Sequence, residues 1–236
     1  MIRVAGQTDQ IADASPVTSV GMTFPQNVVA GNIIICFGRG ANAVAGTYPD
    51  DMTASDTVGS TYVKDKTDVV VNEIRLSVFS AVVAASGANT VTLSSAGDGA
   101  GGRTIGGMEY TFVGGRTLDK TASAQGTSTA ADSGNTATTT SASELLFGVI
   151  GDNFNGTPYT ALGSWTKRAE SGSGAGRCAF FDQIVSATGA YKCNATLTNS
   201  ALWLAMIATY SEVGAVISTQ SALSAMPFYN TIHIQE

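Results

Sequence analysis

The side chains able to do chemistry are few, and their spacing limits what they could do. Histidine occurs once, as His233 in the terminal TIHIQE, so a Ser–His–Asp or Cys–His arrangement has no histidine within the body of the chain. The three cysteines, Cys36, Cys178 and Cys193, are scattered through strand-like contexts and cannot supply the several ligands of a zinc site. Two glycine-rich stretches, AGDGAGG (96–102) and ESGSGAG (170–176), open no helix and predict loops rather than phosphate cradles. Glycosidase chemistry needs only two carboxylates, so the acidic residues need separate attention. Glu109 alternates with Met108 and Tyr110 and is expected to point outward. Asp182 shares a strand face with Cys178, Phe180 and Ile184, where a buried carboxylate must be hydrogen-bonded. A structural role is expected for it, and no catalytic residue is assigned.

Two loops carry the remaining candidates. Asp50, Asp51 and Asp56 lie in the loop 38–60, and Asp152 lies with Asn153 and Asn155 in 151–164. Oxygen ligands at this spacing could hold calcium, but Asp and Asn of this kind also satisfy their own backbone in turns, and turns are the preferred reading. Tyr48, Phe154 and Tyr159 are the aromatics of the same loops. They are candidates for stacking on a glycan or meeting a partner, with packing against the sheet as the plainer alternative. No cofactor is expected.

The elements that must position these residues are strands. The chain has 236 residues, of which 44% are hydrophobic and 13% charged. That charged share is about half the usual one, without the low hydrophobicity of disorder. Short segments rich in Val, Ile, Thr, Phe and Tyr alternate with Gly, Ser, Asn and Asp clusters, and no 3.6-residue period is sustained. Strands are expected near 17–24, 32–38, 60–66, 74–84, 89–95 and 105–113. A second set is expected near 121–130, 135–140, 144–151, 164–169, 177–185, 190–198 and 202–211. A net charge of −6 argues against nucleic acid as a partner. No apolar run approaches the roughly 20 residues of a membrane span, and MIRVAGQTDQ has no hydrophobic signal region.

An internal repeat refines this. FSAVVAASGANTVTL (79–93) aligns with FDQIVSATGAYKCNATL (181–197), and AGNIIICFG (30–38) with ASELLFGVI (142–150). GSTYVK (59–64) aligns with GSWTKR (163–168), and MEYTFVG (108–114) with ATYSEVG (208–214). Four matches in one order predict an all-β, two-sheet antiparallel sandwich of jelly-roll or Ig-like kind, built from halves 17–118 and 119–214. Two tandem sandwiches are the alternative. Residues 1–16 are expected to form an N-terminal arm, and 215–236 a C-terminal arm or extra strand. In this scheme 177–185 and 190–198 form a hairpin with Val185 opposite Ala190. Cys178 and Cys193 then share a face about 13 Å apart along the ladder, too far for the roughly 7 Å of a disulfide. Buried, unbridged thiols and a reducing folding compartment are expected.

The ordered run AGNIIICFGRG, GSTYVKD, SVFSAVVAASGANTVTL, MEYTFVGG, LDKTASAQGTST, SASELLFGVIGDN, GSWTKRAES, FFDQIVSATGAYKCNATL and LWLAMIATY, over about 17–211, resembles a loosely defined group of β-sandwich proteins. Its members occur in tailed-phage structural regions and in large bacterial surface proteins. The resemblance implies a fold and a surface setting, and brings no catalytic residues. Without a visible signal peptide the phage side is favoured: a non-enzymatic capsid decoration protein or small tail or fibre component. Such a protein folds in the host cytoplasm and sits on the virion surface. Its partners would be other virion subunits, such as the major capsid or tail protein, and further copies of itself in a homo-oligomer. A carbohydrate-binding or adhesion module, recognising a host surface glycan, is the alternative.

Overall fold

The computed structural model describes residues 1–4, 7, 10–14, 17–41, 51–70, 74–95, 102–153, 158–171 and 177–214. Among them there is no helix, and every strand pairing is antiparallel. The first nine strands are β1 (Ile2–Arg3), β2 (Gln10–Ala14), β3 (Ser19–Thr23), β4 (Ile33–Ala41), β5 (Met52–Asp56), β6 (Val63–Val70), β7 (Ile74–Val82), β8 (Thr90–Ser95) and β9 (Arg103–Thr111). Six follow: β10 (Arg116–Asp132), β11 (Glu144–Asp152), β12 (Tyr159–Ala161), β13 (Thr166–Ser171), β14 (Cys178–Val185) and β15 (Asn194–Glu212).

They form three sheets rather than two. One large sheet has the order β1-β9-β4-β7-β6, with β2 also on β9. The other has the order β10-β15-β11-β14-β13, with β12 also on β15. A small sheet, β3-β8-β5, completes the set. In the first large sheet Ile33 lies between Val82 and Tyr110. In the second, Leu145 lies between Ile184 and Tyr210.

The central strands have unbroken apolar runs because both of their faces are buried. Ile33, Ile35 and Phe37 of β4 meet Leu145, Phe147 and Val149 of β11 in a core between the large sheets. Phe180 anchors it, with ring centroids 5.7 Å from Phe37 and 5.6 Å from Phe147. The alternate residues, Ile34 and Cys36, face outward under Met22, Val91 and Leu93 of the small sheet. On the far side Leu146, Ile150, Phe181 and Ile207 are covered by Tyr159, Trp165, Cys193, Ala195 and Leu197. Each such large side chain contributes on the order of 1.5–3 kcal/mol when fully buried. β15 serves two layers. Its ladder with β10 jumps from Ser128↔Ala201 to Ala130↔Thr196, an irregularity that lets its first residues fold over the outer core.

Several sequence expectations change. The predicted hairpin does not form: β14 pairs with β11 and β13, whereas β15 pairs with β10, β11 and β12. The chain crosses between layers after Val185 instead of turning back in its own sheet. Cys178 therefore lies in the central core and Cys193 in the outer one, on opposite faces of the second large sheet. The thiols are buried and form no disulfide, as expected, but for a different geometric reason. Residues 135–140 form no strand; Thr136 and Thr139 instead donate backbone N–H groups to Tyr191 and Gly189 carbonyls. β5 and β12 arise inside segments expected to be loops. The described part of the N-terminal arm lies on the chain's own β9, and residues 215–236 lie outside the described residues.

Candidate functional site

The most developed polar site lies where the two large sheets meet. Tyr110 on β9 is buried, and its hydroxyl donates to Asp182 Oδ2 on β14 across the sheet boundary at 2.9 Å. Arg168 donates its Nε to Asp182 Oδ1 at 2.5 Å, and its Nη2 also reaches that oxygen. Arg168 is the residue skipped in the β13–β14 ladder between Lys167 and Ala169, and this irregularity aims its side chain at the carboxylate. Burial, followed by the Asp182 charge, pushes the Tyr110 phenol well above its ordinary range, so it remains a donor. These residues floor a pocket of about 330 Å3 whose lining also includes Arg3, Ser164, Thr166, Gln183 and Ile184. The hydroxyls of Ser164 and Thr166, the Gln183 amide and the Arg3 guanidinium around it, beside the exposed Ile184, suit a small polar ligand.

A second tyrosine runs the opposite way. Tyr210 on β15 donates to Asp65 Oδ2 on β6 at 2.7 Å, and Ser80 Oγ donates to the same oxygen. Asp65 is likewise the residue skipped in its ladder, between Lys64 and Lys66. Arg116 closes this side: its guanidinium sits 5.9 Å from the Tyr210 ring centroid and its Nη2 donates to Ser80 O at 3.1 Å. Burial pushes the Asp65 carboxyl up, against the pull of Ser80, Tyr210 and Arg116. Each large sheet thus sends one tyrosine hydroxyl to a carboxylate of the other.

The sequence candidates do not gather into one site. Tyr48, Asp50 and Phe154 lie outside the described residues. Asp51 is exposed and held by Lys64 at 2.6 Å, with Arg75 at 3.6 Å; the Lys64 hydrogen bond keeps its carboxyl below the usual range. Asp56 caps a turn, accepting from Ser60 N at 2.8 Å, Tyr62 Oη at 3.1 Å and Asn89 Nδ2 at 3.1 Å. Burial raises its pKa, but these donors outweigh it and leave it lowered. Asp152 is fully buried, accepts from Tyr159 Oη at 2.6 Å and Arg177 N at 3.2 Å, and belongs to the interior. Among the described residues no group of three His, Cys, Asp or Glu converges on a common point. Tyr159, offered as a surface contact, is only 1% exposed, and its ring is part of the outer core.

Glu109 corrects the expectation of an outward position. It is 0% exposed, because the first large sheet is covered on both faces. Its carboxylate accepts from Val29 N at 2.8 Å, Asn32 Nδ2 at 2.7 Å and Gln7 Nε2 at 2.9 Å, tying the N-terminal arm and the turn before β4 to β9. Alternation with Met108 and Tyr110 identified its face correctly, but nothing local showed that this face was also buried. Sequence reading passed over the Asp119–Glu144 pair. Burial pushes Glu144 up, Thr209 pulls it back, and the Asp119 carboxylate raises it further. Asp119 is held at about 2: burial raises it, but Lys120 and the Thr140 N–H and hydroxyl outweigh that.

Compared with family models, curated proteins and solved structures, the chain gives no match.

Proposed function

We propose that this chain is a non-enzymatic structural protein of a virion, a capsid decoration protein or small tail or fibre component that binds other virion subunits. The observation that carries this reading is where the acidic side chains are used. Asp182, Asp65, Asp152 and Glu109 each serve to join one layer or segment to another. A fold whose polar chemistry is directed to holding sheets together suits a durable particle component. The resemblance to β-sandwich proteins of tailed phages and bacterial surfaces supports the same setting, with folding in the host cytoplasm and display on the virion surface.

The reading includes a duplicated architecture of jelly-roll type. Its support is the strand orders β9-β4-β7-β6 and β15-β11-β14-β13, which follow the same repeats found in sequence. Ser80 and Asp182, matched in the alignment, both bond to the skipped residue of the neighbouring edge strand, Asp65 or Arg168. Adding the chain to particles lacking it tests the function: saturable, stoichiometric binding is expected, and no binding refutes it. The pocket beside Arg168 favours a second reading, a module for a host surface glycan. A glycan array with Thr166→Trp, which fills the pocket mouth, tests it: a hit that survives this change places recognition elsewhere.

A further inference from the structure

The outer strands of the large sheets are not equally protected against pairing. An open edge presents unpaired backbone donors and acceptors, and proteins blunt it with charges, bulges or short strands. β6 carries Lys64, Asp65, Lys66 and Asp68 and a ladder irregularity. β13 carries Lys167, Arg168 and Glu170 and another. The edge beyond β9 is divided between two short strands, β1 and β2. β10 differs. It is 17 residues long, pairs on one side with β15 and, among the described residues, with no strand on the other; its two ladder irregularities, at Leu118/Thr121 and Ser128/Ala130, bracket a regular stretch rather than interrupt it. Between Lys120 and Asp132 it carries no charge: TASAQGTSTAA, with Thr121–Ser128 in unbroken register on β15.

We infer that the β10 edge is a self-association surface, on which a second copy of this chain adds its own β10 antiparallel about a two-fold axis. The edge chemistry favours this occupant. Ala, Ser, Thr and Gly side chains offer no pockets of the kind that select a foreign peptide. An identical antiparallel strand satisfies the same backbone groups reciprocally, as an isologous contact does. The ends are compatible as well. Lys120 pairs with Asp119, and Asp132 with Lys192. Each end is thus a neutral ion pair, so the antiparallel arrangement, which sets the Lys120–Asp119 end of each copy beside the Lys192–Asp132 end of the other, brings no uncompensated like charges together. The result is one continuous sheet of twelve strands across the dimer, six from each copy. This inference deepens the assembly reading by naming its contact, and it is tested in solution so that the two can fail separately.

The test is sedimentation velocity of the full chain across a concentration series, beside Gln125→Lys/Thr127→Lys. Both positions are exposed, near the middle of the regular ladder, where like charges facing each other across the axis oppose pairing. The wild type is expected to dimerise and the variant to dissociate at least about tenfold more readily, with unchanged circular dichroism. In parallel, Gln125→Cys adds a thiol close to the axis, while the native cysteines are buried. A short bis-maleimide is expected to link it into a covalent dimer. A wild type that stays monomeric overturns the inference, as does a dimer indifferent to the two lysines or a Gln125→Cys variant that takes up the reagent without cross-linking. A monomer that still binds particles overturns the self-pairing alone; failure of both removes the assembly reading too.

Discussion

Replacing Tyr110 by Phe removes one hydroxyl at the boundary between the large sheets and leaves the ring in the core. The lost interaction is a 2.9 Å hydrogen bond to a carboxylate that is 3% exposed. Hydrogen bonds to charged groups contribute about 1.5–3 kcal/mol, so a loss of about 2 kcal/mol is expected. In a chain of this size that lowers Tm by about 4–8 °C. Asp182→Asn should cost about 2–3 kcal/mol, below the roughly 3–5 of a fully buried broken pair, because Arg168 retains 20% side-chain exposure and can turn to solvent. The decisive quantity is the coupling between the two changes. Measured by urea denaturation of both single variants and the double variant, it should be about 1–2 kcal/mol. Tyr110→Phe combined with Asp65→Asn, which belongs to the other tyrosine pair, should be additive. Additivity of Tyr110→Phe with Asp182→Asn, within about 0.5 kcal/mol, would refute the claim that this hydrogen bond ties the sheets together.

Asp65→Asn has a pH signature. Burial raises the folded carboxyl above its unfolded value, so the folded state binds the proton more tightly and wild-type stability falls as pH rises through that window. The amide oxygen can still accept from Tyr210 and Ser80. The variant should therefore be more stable than wild type at neutral pH, and thermal melts should show the advantage vanish below the ordinary carboxylate range. An equal loss at every pH contradicts this. Gly148→Ala would drive a methyl carbon into Cys193 Sγ, well inside contact distance; overpacking of this kind should cost about 1–3 kcal/mol in denaturant melts, and a neutral result would show that the outer core yields easily. Burial pushes the Cys36 and Cys193 thiols well above their usual range, so iodoacetamide should label them slowly in the folded protein and quickly in urea.

The strands that carry the cores were legible in the sequence. IIICF and LLFGVI are too apolar for strands with one wet face, and both belong to strands buried on two sides. What the sequence concealed was the route between layers. Local pattern made a hairpin around Ser186–Gly189 plausible, because two strands joined by a short turn ordinarily pair with each other. Here they pack across the outer core, and β14 finds its partners earlier in the chain, in β11 and β13. Asp182 could be recognised as a buried carboxylate from its strand face, but its donors Tyr110 and Arg168 could not. Tyr110 is 72 residues distant, and Arg168 reaches it only because a ladder irregularity turns it inward. Tyr159 takes the plainer of its two expected roles, packing against the sheet; what the sequence did not show is how, since the three-residue β12 lies against the bent start of β15, which no local pattern marks.

The proposed place of the chain is a virion surface. Quantitative mass spectrometry of particles purified from a host carrying the gene, with cryo-electron microscopy of the same particles, tests it most directly. A fixed copy number per particle and β-sandwich density on the capsid or tail exterior are expected. Particles that lack the protein while it accumulates in the unassembled fraction would contradict it.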